Sequence, residues 1–169
     1  MRTIVDENVM IIKGPEQDVL ARYNVMATRV NPDYIVRVTG DCPLIPSPVI
    51  TKLITTAVKG EYDFVTNAWP EYRTFYDGAD CEVVSTRLFD WVFANAEGTD
   101  REHVLSMLYR KRPEWASYAQ VFSEMDLTHI KLSVDTIEDL KQVRIFYDSV
   151  ENKIKSWDSK HGKKTLHRY

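Results

Sequence analysis

The stretch Tyr34-Ile35-Val36-Arg37-Val38-Thr39-Gly40-Asp41-Cys42-Pro43-Leu44 decides the fold. Tyr34 to Val38 is a β-branched run and reads as a buried strand. Thr39 to Leu44 reads as the loop that follows it. Gly40 lets the backbone approach a ligand closely, and Pro43 stiffens the exit. In open parallel α/β sheets, ligands bind just outside the carboxyl ends of the strands, which is where Asp41 falls. G-D-x-P also makes an ordinary turn, so the spacing alone leaves both readings open.

Upstream, Val9-Met10-Ile11-Ile12 reads as a short strand closed by Lys13-Gly14-Pro15. Glu16 to Arg29 reads as a helix with Val19, Tyr23, Met26 and Val30 on one face, stopped by Asn31-Pro32-Asp33. Downstream, Ser47 caps a helix that carries Pro48 in its first turn, shows Ile50, Leu53, Ile54 and Ala57 as its apolar stripe, and ends at Gly60. Tyr62 to Thr66 is the next strand. Residues 67–79 form a polar and aromatic connection, long for a plain loop, and such loops often carry function. Cys81 to Val84 reads as a strand, Ser85 to Glu97 as a helix, and Asp100 to about Lys111 as another. Tyr118 to Phe122 and Ile130 to Val134 read as strands. Asp135 opens a last helix, in which Thr136 and Asp139 stand at capping-box spacing and Leu140, Val143 and Tyr147 supply the core face.

This alternation predicts an α/β layered domain, three-layer α/β/α, with a largely parallel sheet over residues 1–152. Residues 153–169 are expected to form a basic, polar tail, either solvated or binding a polyanion. The chain has 169 residues, 44% of them hydrophobic, which suits one domain with a real core. Its formal charge of -3 gives no general pull toward nucleic acid or anionic lipid. No apolar run is long enough for a membrane span, and Met1 to Glu7 lacks the apolar region of a signal peptide. Cys42 and Cys81 make neither a disulfide framework nor a zinc site, so reduced thiols in a cytoplasmic protein are expected.

The candidate chemistry rests on carboxylates. Asp41 and Asp135 each lie just past the end of an expected strand. If those strands are near neighbours, the two side chains converge and offer the hard oxygen ligands that Mg²⁺ takes, with other positions left to phosphate or water. Asp135 serves equally well as a helix cap. Arg73, Asp77, Asp80 and Glu82 cluster in and after the long loop, where they suit sugar hydroxyls, although Asp77-Gly78 alone makes a turn. Arg101 and His103 open a helix and read either as a charged first turn or as substrate contacts. Lys131 either points at phosphate or is solvated. The sequence holds no Gly-rich phosphate loop, Cys/His metal cluster or G-x-S-x-G elbow.

Five blocks, in order, resemble one family. Gly14-Pro15-Glu16-Gln17-Asp18-Val19-Leu20-Ala21-Arg22-Tyr23 resembles the G-x-x-x-D-V-L-x-R-Y segment of SpsF-type cytidylyltransferases, named for a spore-coat polysaccharide protein. Val36 to Ile45 is similar to that family's V-R-x-T-G-D-C-P-L-I, and Asp77 to Val83 to its D-G-x-D-x-E-V. Arg101-Glu102-His103-Val104 resembles R-E-H-V, and Val134 to Leu140 resembles V-D-T-x-E-D-L. The resemblance covers about Val9 to Tyr147. It implies a Rossmann-like nucleotide-diphosphosugar transferase fold, and transfer of CMP from CTP to a sugar with release of pyrophosphate. It also implies Mg²⁺ held by Asp41 and Asp135, with Arg37, Lys131 and Arg101 as phosphate or sugar contacts.

The family begins with a segment of the kind A-R-x-x-S-x-R-L-P-G-K that wraps the nucleotide, and Met1 to Asn8 contains no counterpart. The resemblance therefore implies a form without that N-terminal segment, with a sheet edge to be covered by a second copy or a complementing chain. The alternative is a non-catalytic remnant or a binding or oligomerisation module. Phe75-Tyr76 also departs from the proline that often precedes the aspartate corresponding to Asp77.

Overall fold

Alternation along the strands sorts their side chains into two cores, one on each face of a four-stranded sheet. The structure is a computed structural model that describes residues 9–161, with side chains described through residue 153. The strands are β1 (Tyr34–Val38), β2 (Phe64–Thr66), β3 (Cys81–Ser85) and β4 (Tyr118–Gln120), in the order β1-β3-β2-β4. On one face Ile35, Phe64, Val84 and Tyr118 pack against α1 (Val19–Val30), α3 (Thr86–Asn95) and the 3-10 turn Ser106–Tyr109, while α4 (Thr99–His103) lies against α1. On the other face Val36, Val65, Val83 and Ala119 meet Ile50, Leu53 and Ala57 of α2 (Ser47–Gly60). Helices on both faces make the three layers. Phe64, Phe89, Leu53 and Leu88 are fully buried, and each such side chain contributes about 1.5–3 kcal/mol of apolar transfer.

The sheet is mixed rather than largely parallel. β3 runs antiparallel to both β1 and β2, and only β2 and β4 pair in parallel. The connection from β2 to β3 contains a 3-10 turn, Pro70–Tyr72, and no α-helix. A parallel return needs a crossover, usually a helix across the face of the sheet; here the chain doubles back instead. β1 and β2, both antiparallel to β3, still point the same way, so their carboxyl ends share one edge with the start of β3.

Other differences have local causes. Val9 to Ile12 is not a strand: Val9, Met10 and Ile11 are exposed, and no described strand flanks them. α1 begins at Val19, where Asp18 accepts the Ala21 amide as its cap at 2.9 Å. Pro46, not Ser47, caps α2. The expected helix from Asp100 to Lys111 breaks at Val104, whose φ is 57°. Beyond the break the chain continues as the 3-10 turn Ser106–Tyr109, and Val104, Leu105, Met107 and Leu108 are all buried. Ile130 to Val134 keeps a single bridge, Asp77 to Lys131. The last helix, α5 (Ile137–His161), starts at the expected capping box: Asp139 Oδ2 accepts the Thr136 amide at 2.9 Å, and Thr136 Oγ1 accepts the Asp139 amide at 3.1 Å. It runs on past the boundary expected at residue 152; residues 162–169 of the expected tail lie outside the described residues. No described helix is long and apolar enough to cross a membrane.

Candidate active site

The edge where β1 and β2 end and β3 begins collects most of the sequence candidates. Asn67, fully buried just after β2, organises it. Its Nδ2 donates to Ala79 O at 2.7 Å and its Oδ1 accepts the Cys81 amide at 2.9 Å, which fixes the backbone on both sides of Asp80. Tyr76 donates its hydroxyl to Leu44 O at 3.0 Å and ties the long loop to the Thr39–Leu44 loop. Gly78 lies at φ 106°, where a Cβ would stand 2.5 Å from the Leu132 carbonyl carbon. Only glycine lets Asp77 come flush against residues 130–132, where its amide donates to Ile130 O at 3.1 Å and its carbonyl accepts from Leu132 N at 2.6 Å. Beyond that bridge, the Val134 amide donates to Asp41 O at 2.8 Å. Asp41 and Asp135 therefore sit on adjoining segments although the sequence separates them widely.

A charged chain runs along this edge. Arg73 pairs with Asp80, reaches Asp77 at 3.7 Å, and donates to the carbonyls of Phe75 and Tyr76. Burial pushes the Asp80 carboxyl above its ordinary range; Arg73 opposes the rise and Asp77 adds to it. Ser133 Oγ lies 2.9 Å from Asp77 Oδ2 and 3.4 Å from Asp135 Oδ2. Lys131 bridges Asp135 at 2.8 Å and Asp139 at 2.9 Å. Those hydrogen bonds, Asp135 first, raise the pKa of the Lys131 ammonium, while Lys131 and then Thr136 hold Asp139 down to about 2.

Deeper in the sheet, Arg37 and Glu82 face each other across β1 and β3, with Nη1 to Oε2 at 2.6 Å. Burial works against the Arg37 charge, but the Glu82 carboxylate outweighs it and raises the guanidinium pKa. The second Glu82 oxygen accepts the Tyr109 hydroxyl at 2.8 Å. With a side chain only 6% exposed, Glu82 has both oxygens occupied by protein, so it meets Arg37 and Tyr109 rather than solvent.

Arg101 and His103 lie on α4, apart from this edge cluster. Arg101 donates to Asp18 at 2.8 Å and lies 5.2 Å over the Phe93 ring, joining α1 to α4. His103 is exposed at the end of α4. Sequence reasoning missed Asn67, Tyr109 and Ser133. Tyr109 follows Met107-Leu108 and reads as core; Asn67 and Ser133 are polar residues beside strands, with no local pattern to mark them.

Among the described residues, no three or more His, Cys, Asp and Glu side chains are grouped to hold a metal. Four carboxylates stand along this edge, Asp77 and Asp80 beside Arg73, Asp135 beside Lys131, and Asp41; such hard oxygens suit Mg²⁺ only when water or a ligand's phosphates complete the shell. That donor set fits a cation that arrives with its substrate rather than one held in a protein cage.

The sequence matches the Cytidylyltransferase family over residues 3–154, and the chain belongs to that family. A solved structure described as a cytidylyltransferase from Leptospira borgpetersenii superposes with a TM-score of 0.76 at 28% identity, covering 95% of this chain and 72% of that one. The uncharacterized protein MJ1063 of Methanocaldococcus jannaschii is 30% identical over 135 residues, which cover 79% of this chain and 54% of that protein. The chain thus spans about half the length of this curated relative.

Proposed function

We propose that this chain is an SpsF-type cytidylyltransferase that transfers CMP from CTP to a sugar acceptor and releases pyrophosphate. The observation that carries the reading is the hydrogen bond from the Val134 amide to Asp41 O at 2.8 Å, which sets the Asp41 and Asp135 segments side by side at the carboxyl edge of β1. Membership of the Cytidylyltransferase family supplies the nucleotide.

In this assignment Asp41 and Asp135 would hold Mg²⁺, which would offset charge on the phosphates and on the leaving pyrophosphate. Arg37, presented by Glu82, and Lys131 contact phosphate. Arg73 orients Asp77 and Asp80 toward acceptor hydroxyls, and the raised pKa of Asp80 suits a carboxyl that exchanges a proton with such a hydroxyl. An acceptor oxygen attacks the α-phosphorus and the bond to the bridging oxygen breaks, with no covalent enzyme intermediate. The protein's part is then positioning and electrostatic stabilisation. Arg101, tied to Asp18, supports the fold of the α1–α4 side, and any substrate contact from it or His103 lies apart from the edge cluster.

The test is calorimetric titration with CTP, with and without Mg²⁺, followed by a pyrophosphate-release screen over acidic and neutral sugars. Saturable Mg²⁺-dependent binding that Asp41→Asn and Asp135→Asn both abolish is the expected result. Binding indifferent to both substitutions removes the two aspartates from the metal role. Absence of pyrophosphate release with every sugar, despite CTP binding, favours the non-catalytic reading.

A further inference from the structure

Arg37, Glu82 and Thr66 lie in one row across β1, β3 and β2, Arg37 opposite Glu82 and Thr66 opposite Glu82 on its other side. Above the row stands Tyr109, delivered by the 3-10 turn that follows the break at Val104. Its hydroxyl carries one hydrogen and lies 2.8 Å from Glu82 Oε1 and 2.9 Å from Thr66 Oγ1. Glu82 pairs with Arg37 as a carboxylate and accepts that hydrogen. The Thr66 hydroxyl therefore donates to Tyr109, the nearer of its two acceptors (Cys81 O lies 3.4 Å away), and Thr66 in turn accepts the Ala68 amide at 3.0 Å. The bonds run in one direction, from Ala68 through Thr66 and Tyr109 to Glu82, and end on the carboxylate that holds Arg37. Bonds aligned this way polarise one another. The Tyr109 ring has little freedom: Trp69 meets it edge-on at 5.3 Å and Phe64 at 5.8 Å.

Arg37 has a different status from its partners. A guanidinium carries five N–H donors, and the described contacts occupy Nη1 alone. Its side chain is 20% exposed, against 6% for Glu82. A long side chain with unused donors keeps one orientation only if its anchor is itself immobile. Both oxygens of the anchor are bonded, and the second bond is the one Tyr109 makes.

We infer that Tyr109 is a positioning residue: with Thr66 it locks Glu82, and through Glu82 it holds the Arg37 guanidinium in the orientation that meets a phosphate-bearing ligand. The ligand's identity rests on the proposed function; the locking is a property of the protein without ligand, so the two are tested apart.

The first measurement is nitrogen-detected NMR of the Arg37 guanidinium without ligand, assigned with Arg37→Lys. In the parent, the bond to Glu82 slows rotation about the guanidinium C–N bonds and resolves the two Nη signals. In Tyr109→Phe, which keeps the ring, those signals coalesce. Unchanged Arg37 signals in Tyr109→Phe overturn the inference whatever CTP does. The second measurement is CTP binding with Mg²⁺ across Tyr109→Phe, Arg37→Ala and the double variant. Tyr109→Phe weakens CTP about tenfold, as expected for a lost hydrogen bond to a charged group, and leaves binding of cytidine, which lacks phosphate, unchanged.

In the Arg37→Ala background Tyr109→Phe adds less than about twofold, because both changes act through one interaction. Additive losses, or equal loss of cytidine binding, reveal a merely structural tyrosine and overturn the inference. If the parent binds no CTP, the proposed function fails and the NMR result alone decides the inference. Should Tyr109→Phe not fold, Thr66→Val removes the donor to Tyr109 at nearly constant shape, and the same two readouts apply.

Discussion

Replacing Asp63 by asparagine tests how the sheet is held at the end opposite the candidate site. Asp63 precedes β2 and is 1% exposed, and its carboxylate gathers three elements. Oδ1 accepts Ser85 Oγ at 2.7 Å and Arg87 Nε at 2.5 Å; Oδ2 accepts Arg87 Nη2 at 2.6 Å and the Ser117 amide at 3.0 Å. Burial alone would raise its pKa, but Arg87, the Ser117 amide and Ser85 together lower it from 3.8 to about 2. That depression of roughly two units corresponds to about 2–3 kcal/mol of stability from the ionised form.

The folded pKa lies below the unfolded one, so the contribution is complete above the unfolded value. It declines as pH falls from about 4 through about 2. Asp63→Asn preserves shape and removes the charge, so urea denaturation near neutral pH gives a loss of about 2–3 kcal/mol. Other depressed carboxylates, Asp18, Asp100, Asp126 and Asp139, titrate in both proteins and cancel in the difference. The parent–variant gap therefore closes by more than half at about pH 2.5. A loss under about 0.5 kcal/mol at neutral pH, or a gap that does not change with acid, refutes the account.

Gly78→Ala puts a Cβ 2.5 Å from backbone at φ 106°; it destabilises by about 3 kcal/mol in thermal or urea unfolding and weakens Mg²⁺-dependent CTP binding, because residues 131–135 shift away from Asp77. Both thiols are buried, and burial pushes Cys81 up to about 12, so native protein leaves both unlabelled by a thiol reagent at mildly alkaline pH, and unfolding exposes two. Lys131→Gln releases Asp135 from its 2.8 Å ion pair; if Asp135 is a metal ligand, the Mg²⁺ concentration needed for CTP binding falls, whereas weaker CTP binding at saturating Mg²⁺ makes Lys131 a phosphate contact. Phe89→Ala empties a fully buried site and lowers stability by about 3–5 kcal/mol.

Much of this architecture is local in origin and was legible in the sequence. The strand Tyr34–Val38, Leu53 and Ala57 of the α2 stripe, and the Thr136–Asp139 capping box follow from side-chain spacing alone; the strand is half-buried rather than buried because it ends the sheet, and Ile54 of the expected stripe is exposed. Strand direction did not follow, because an alternating pattern is the same read either way; β3 reverses the chain where a parallel partner was expected. Val104 and Leu105 fit a helix by propensity, yet Val104 stands at φ 57° and the chain goes on as a 3-10 turn.

The site divides the same way. Asp41 and Asp135 stand out as carboxylates at strand ends, and the backbone brings their segments together. Glu82 looked like a ligand to substrate and is instead enclosed by Arg37 and Tyr109, because residue type does not report which face of a strand is covered. Asn67 and Tyr109 act through partners distant in the chain, and no short window of sequence contains both ends of such a contact.

The strand order β1-β3-β2-β4 also bears on how the chain reaches this structure. Of the three pairings, only β2 with β3 joins strands that are consecutive in sequence; β1 waits for β3 across α2 and β2, and β4 reaches β2 across β3 and α3. Loop closure favours the nearer partner, so the β2–β3 hairpin is the natural nucleus, with β1 and β4 added to its two flanks. The edge that carries the candidate site is then assembled last: Arg37 meets Glu82 only when β1 docks, and Val134 bonds Asp41 O only after the chain beyond β4 has returned. The β2–β3 centre of both hydrophobic layers would form before the candidate site does.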